Sequence, residues 1–165
     1  MLCEKQNHSI PPVWDENSRV LILGSFPSVR SRAVGFYYGH PQNRFWRVLA
    51  AVLGQPVPQT TEEKCAMLLA NRIALWDVIA SCEIVGSSDS SIRNAVPNDV
   101  ENLLKQTHIT KIFTNGGTAT RLYKRHLQKS LQIEAIDLPS TSPANAAKSQ
   151  TELIEAWRVV AEACR

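Results

Sequence analysis

The sequence predicts an α/β protein, a three-layer α/β/α sandwich built on a central, mainly parallel four-stranded sheet. Three observations carry that expectation. Short apolar runs of strand length recur at residues 20–23, 73–79, 111–114 and 132–138, each followed by turn-forming residues. Segments with apolar residues at helical spacing lie between them. No linker, repeat or low-complexity stretch divides the 165 residues, so 1–165 reads as one domain.

Taken in order, Val20-Leu-Ile-Leu23 is a fully buried strand, and Gly24 and Pro27 turn it into a long loop over 25–42. Phe45, Trp46, Val48, Leu49, Val52 and Leu53 then mark a helix that Gly54 closes. Residues 62–70 form a second helix, with Thr60 or Thr61 as its cap. Residues 73–79 (IALWDVI) are the second strand, and the polar, Ser-rich stretch 82–97 reads as a surface loop. Asn98 is placed to cap a helix running to about residue 106. Residues 111–114 are the third strand, and Asn115-Gly-Gly117 turns it into a helix ending near residue 129. Residues 132–138 supply the fourth strand. Pro139-Ser-Thr-Ser-Pro143 follows, then a last helix from about 145 to 163. Right-handed crossovers cover such a sheet on both faces, and ligands gather at the carboxyl ends of its strands. Those ends are 24–28, Asp77, 115–117 and 139–145.

Composition excludes little else. Hydrophobic residues make up 44% and charged residues 20%, which is ordinary for a globular protein. A net charge of +3 permits contact with polyanions without requiring it. Glu4, Lys5 and His8 interrupt the N-terminal segment where a secretion signal would be apolar, and no run is long enough to cross a bilayer. A soluble, cytoplasmic protein with no membrane partner is expected. The four cysteines (Cys3, Cys65, Cys82 and Cys164) form no Cys-x-x-Cys pair, and free thiols are expected rather than a metal or cluster site.

Two segments carry chemistry. One is Gly24-Ser-Phe-Pro-Ser28 with Gly35-Phe-Tyr-Tyr-Gly-His-Pro-Gln-Asn-Arg-Phe-Trp46, and the other is Leu138-Pro-Ser-Thr-Ser-Pro-Ala-Asn145. Together with Ala74-Leu-Trp-Asp-Val-Ile79 and Thr114-Asn-Gly-Gly117, they resemble the hypoxanthine (deoxyinosine) DNA glycosylases of the uracil-DNA glycosylase superfamily. Mismatch-specific uracil/thymine glycosylases are more distant. The resemblance implies a monofunctional enzyme without a cofactor, expected to act as a monomer on DNA carrying a deaminated base. The base is flipped from the duplex and its N-glycosidic bond hydrolysed. Neither motif contains a lysine that could form a Schiff base, which argues against a lyase step.

By the same resemblance, Asn43 is the catalytic residue, orienting water and stabilising developing charge. Mismatch-specific relatives carry an Asn in the first motif where this chain has Phe26, whose ring cannot hold water. On spacing alone, Asn43 reads as a helix cap, and one residue could serve in both roles. Tyr38 corresponds to an aromatic that stacks on the flipped base, Phe26 lines the same pocket, and the Ser25 and Phe26 backbone N–H groups could donate to a base carbonyl. Asp77 corresponds to a base-reading residue. Its carboxylate would accept from the ring N–H that deamination creates and repel the bare ring nitrogen of cytosine or adenine. A turn-capping Asp is the alternative. Contacts to the DNA backbone fall to Asn115, Ser140, Ser142, Pro143 and Asn145, or these residues merely start helices. Arg44 adds charge beside the pocket with Arg30, Arg32 and Arg47.

Other readings stay open on the residues alone. A mismatch-specific uracil glycosylase is one, and Phe26 weighs against it. A non-catalytic nucleotide-binding α/β module would need only Gly24, Gly116 and Gly117. A serine hydrolase would draw on Ser25, Ser28, Ser140 or Ser142, but no Gly-x-Ser-x-Gly elbow is present and His40 is the only histidine near these loops.

Overall fold

A computed structural model describes residues 3–165. In chain order its elements are β1 (Glu4–Asn7), β2 (Val20–Gly24), α1 (Val29–Val34), α2 (Phe45–Leu53), α3 (Thr61–Ala70), β3 (Ile73–Asp77), β4 (Ile79–Ile84), β5 (Arg93–Pro97), α4 (Val100–Lys105), β6 (Lys111–Asn115), α5 (Gly117–His126), α6 (Gln128–Leu131), β7 (Ala135–Leu138) and α7 (Gln150–Cys164). The expected sheet is present. It has four parallel strands in the order β3-β2-β6-β7.

β2 is apolar along its length because both of its faces are covered. Val20 and Ile22 face a core shared with Phe45, Leu49, Leu68 and Trp157 of α2, α3 and α7. Leu21 and Leu23 face a second core with Val100, Leu103, Leu122 and Tyr123 of α4 and α5. The chain leaves β2 for β3 on one side and later returns to β6 on the other. This reversal opens a crevice at the carboxyl ends of β2 and β6.

The second core has a further wall that the residue pattern does not announce. Residues 82–97 are not a surface loop. β4 pairs antiparallel with β1 and β5 to make a three-stranded sheet, and Ile79, Cys82 and Ile84 point into the core. β1 (EKQN) has no apolar residue to mark it, and β5 is interrupted by register shifts and by Asn94 at φ 51. Edge strands with one wet face carry a weak pattern.

Several boundaries move for local reasons. Residues 73–79 divide at Val78, whose N–H donates to the Gly24 carbonyl, so Asp77 sits at a bend. The loop 25–42 contains α1, capped by the Ser28 hydroxyl on the Ser31 N–H. Asn98 is not a helix cap: its amide donates to the carbonyls of Asp77 and Ile79 at the strand crossing, and Asp99 caps α4 instead. α7 begins at residue 150 rather than near 145, because Ser149 and Glu152 form a reciprocal capping box. Thr60 caps α3, as its position suggested.

Candidate active site

The strand ends and loops singled out by sequence converge on one cavity of about 390 Å³, within the range of small-ligand pockets, roughly 300–1,000 Å³. Ser25, Phe26, Tyr38, Asn43, Asp77, Asn115, Ser140, Ser142 and Pro143 all line it. Arg44 and Asn145 stand behind the wall. The Arg44 guanidinium donates to the carbonyls of Lys148 and Asn145, and the Asn145 amide donates to the Ser140 carbonyl. These bonds hold the second loop in shape. The exposed tip of that loop is Pro143-Ala144.

Asn43 lines the cavity and sits just before the first turn of α2. Its Oδ1 accepts from the Phe45 N–H at 2.9 Å, closing the start of α2, and from the Thr141 hydroxyl at 2.9 Å. Two donors meeting one atom orient the amide, leaving Nδ2 as the end free of protein acceptors among the described residues. Thr141, fully buried, is held in turn by Asn115: the Asn115 amide donates to Thr141 Oγ1 at 3.0 Å and its Oδ1 accepts from the Thr141 N–H at 3.1 Å. Asn115 thus braces Thr141, and Thr141 braces Asn43. Neither Thr141 nor this relay was picked out by sequence, although Thr141 lies between the two serines that were.

Asp77 is 3% exposed. Its Oδ2 is bonded to His8 Nε2 at 2.9 Å, while Oδ1 has no hydrogen-bond partner among the described residues. Gly24 makes room for it, since a Cβ there would lie 2.4 Å from Asp77 Oδ1 and 2.8 Å from the Tyr38 hydroxyl. Tyr38 has φ 53, a left-handed conformation that is uncommon for an aromatic residue and concentrates at functional sites. That conformation lays its ring on Phe45 with centroids 4.1 Å apart. Its hydroxyl is buried without a hydrogen-bond partner among the described residues. Burial first, and the Asp77 charge second, push the Tyr38 phenol far above its ordinary range, so it stays neutral.

A second carboxylate, Asp89, reaches the cavity from the connection between β4 and β5. It accepts from the Ser25 hydroxyl at 2.9 Å. Burial raises its pKa, the Ser25 hydrogen bond offsets part of that rise, and the Asp77 charge adds to it. Two carboxylates in one hollow, one bonded to an imidazole and the other to a hydroxyl, make the interior acidic while Arg32 and Arg44 lie nearby. No sequence signal singled out His8 or Asp89, since both sit in polar stretches without periodicity.

The serine-hydrolase reading loses its geometry. Ser25 is bonded to Asp89, and neither His8 nor His40 bonds to a serine hydroxyl among the described residues. Nor do the described residues include a group of three or more His, Cys, Asp or Glu side chains placed to hold a metal ion. The four cysteines are unpaired.

The uracil DNA glycosylase superfamily model matches residues 11–161, which includes both loops of the cavity. The chain belongs to this superfamily. It is accordingly a monofunctional DNA glycosylase. A protein of Methanosarcina acetivorans named hypoxanthine DNA glycosylase is 36% identical over 91% of this chain and 94% of its own length. One of Methanosarcina barkeri with the same name is 33% identical over 85% of this chain and 89% of its own. A solution NMR structure from Methanosarcina acetivorans, described as a candidate uracil DNA glycosylase, superposes with a TM-score of 0.78 at 35% identity, covering 93% of this chain and 98% of that one. No helix among the described residues of this glycosylase is long and apolar enough to cross a membrane.

Proposed function

We propose that this glycosylase excises hypoxanthine, and also uracil, from DNA, acting as a monomer in the cytoplasm and leaving an abasic site. The observation that carries the reading is the convergence of the Asn43 amide and the Asp77 carboxylate on a cavity roomy enough for one nucleobase. The relatives named for hypoxanthine support the choice of base.

In this reading the base enters between Phe26 and Tyr38, whose ring is backed by Phe45. Stacking of this kind is worth about 1–3 kcal/mol and tolerates purines and pyrimidines alike. Asp77 Oδ1 accepts the ring N–H that hypoxanthine and uracil share. Adenine and cytosine present a bare ring nitrogen at that place, which a carboxylate repels. Because Asn43 Oδ1 is already used twice, the amide holds water through Nδ2, donating to the water oxygen and leaving its second lone pair to attack C1′ of the sugar. The C1′–N bond breaks as the C1′–O bond forms, the base leaves with the bonding pair, and the water's proton ends on the departing base. An amide cannot take that proton, so the rate acceleration comes from placement and charge stabilisation. Ser140, Ser142 and Pro143 present small groups to the DNA backbone, with Arg44 supplying charge behind them.

The test is single-turnover excision on duplexes carrying deoxyinosine or deoxyuridine. Asn43→Ala is expected to lower the rate about 10²–10³-fold while the circular dichroism spectrum stays native. A variant that excises at the native rate sinks the assignment, and a native protein that releases neither base sinks the function.

A further inference from the structure

We propose that His8 sets base specificity by masking one oxygen of the Asp77 carboxylate, so that the cavity reads a single ring N–H and rejects guanine. The inference rests on the reading of Asp77 as the acceptor for the flipped base. Adenine and cytosine are excluded by Asp77 alone, but guanine is not. Its ring carries the same N–H as hypoxanthine, with an amino group beside it, and a carboxylate with both oxygens free would take the two donors together. Hypoxanthine and uracil offer one ring N–H flanked by carbon or carbonyl.

The structure leaves one oxygen of Asp77 without a hydrogen-bond partner among the described residues. Asp77 Oδ2 is bonded to His8 Nε2 at 2.9 Å, with the two side chains 4% and 3% exposed respectively. A carboxylate only accepts, so Nε2 carries the proton, and the imidazole ring occupies the space beside Oδ2. Oδ1 remains, uncovered because Gly24 has no side chain. A guanine seated on Oδ1 would set its amino group against an oxygen already bonded to the imidazole N–H, in competition with it, a cost that hypoxanthine does not incur.

His8 is fixed for this task from several directions. Its backbone N–H donates to the Ala80 carbonyl of β4. Its ring meets Phe26 edge-on at 6.0 Å and Tyr37 at 6.0 Å. The Tyr37 hydroxyl donates to the carbonyls of Ile10 and Pro11, pinning the segment that follows. His8 is thus a positioning residue: it acts on the base through Asp77, and the antiparallel sheet delivers it.

The test compares excision of hypoxanthine and of guanine, each placed opposite thymine so that flipping is easy. His8→Leu frees Oδ2 and is expected to narrow the hypoxanthine-to-guanine rate ratio about 10- to 100-fold. His8→Gln, which keeps an N–H near the Nε2 position, is expected to hold the native ratio. A structural role alone would lower both rates together. An unchanged ratio in His8→Leu, or guanine release still undetectable there while hypoxanthine is released, overturns the proposal. If His8→Leu is inactive on both, equilibrium binding of duplexes carrying the 2′-fluoro analogues, which resist cleavage, reads the same ratio and decides in the same way. Asp77→Asn separates the two readings. Native hypoxanthine excision by Asp77→Asn refutes base reading itself, whereas impaired excision with an unchanged His8→Leu ratio refutes only the masking.

Discussion

The parallel sheet β3-β2-β6-β7 sends Gly24, Asp77 and Asn115 to the cavity from strand ends packed on both faces. The antiparallel sheet β1-β4-β5 sends Asp89 there from the turn joining β4 to β5, and sets His8, just past β1, on the Asp77 carboxylate. In the first, position is set by buried backbone ladders: β2 is registered residue for residue against both β3 and β6. In the second, the strands are short, partly wet and shifted in register, and side-chain hydrogen bonds do the placing. The comparison teaches a division of labour. The rigid sheet fixes the strand ends that line the cavity, and the looser one brings hydrogen-bond partners to the side chains there.

The largest effect that sharpens this contrast belongs to the packed side. Trp157 on α7 is fully buried, meets Phe45 edge-on at 5.7 Å, and donates from Nε1 to the Pro139 carbonyl at 3.0 Å. It joins the core to the loop carrying Thr141. Trp157→Ala is expected to cost about 3–5 kcal/mol in urea unfolding; a loss below 1 kcal/mol would break the claim that this face holds the site.

A smaller effect is expected where the two regions touch. Gly24→Ala places a methyl group 2.4 Å from Asp77 Oδ1, so the carboxylate must move. Stability should fall by about 1–3 kcal/mol, and excision of hypoxanthine should fall with it. A native-like rate in this variant would mean that Asp77 need not stand where it does.

The smallest effect lies on the antiparallel side, at Asp89. Its folded pKa is raised above the ordinary 3.8, chiefly by burial. The folded state therefore holds this proton more tightly than the unfolded one. Asp89 disfavours folding increasingly as pH rises from 3.8 through the raised value, and not at all well below 3.8. Replacing it with Asn should flatten that part of the stability–pH curve. Chemical denaturation across the acid range checks this, and identical curves for the two proteins would show that Asp89 is solvated like a surface carboxylate.

Sequence reading reached far into one region and little into the other, for a physical reason. Strands buried on both faces must be apolar throughout, so Val20-Leu-Ile-Leu23 and Ile73-Ala-Leu-Trp76 are visible as bare runs. Strand β1, with Glu4, Lys5, Gln6 and Asn7, buries little and leaves no such trace. The motif residues were visible because Gly24, Tyr38, Asn43 and the Ser-Pro loop are chemically odd in succession. Thr141 was hidden among look-alike hydroxyl residues. His8 is separated from Asp77 by 69 positions, and no local spacing could pair them.

The order of amino acids by itself determined the fold class and the strand ends that line the cavity. Those follow from short-range rules: which segments must leave water, and which turns only certain residues can make. Tertiary structure alone decided that Asn43 spends its oxygen on Phe45 and Thr141 and keeps its N–H for the cavity, and that Asp77 keeps one oxygen while His8 takes the other. Hydrogen-bond capacity is finite, and which atoms remain unspent depends on which neighbours the packed chain brings within about 3 Å.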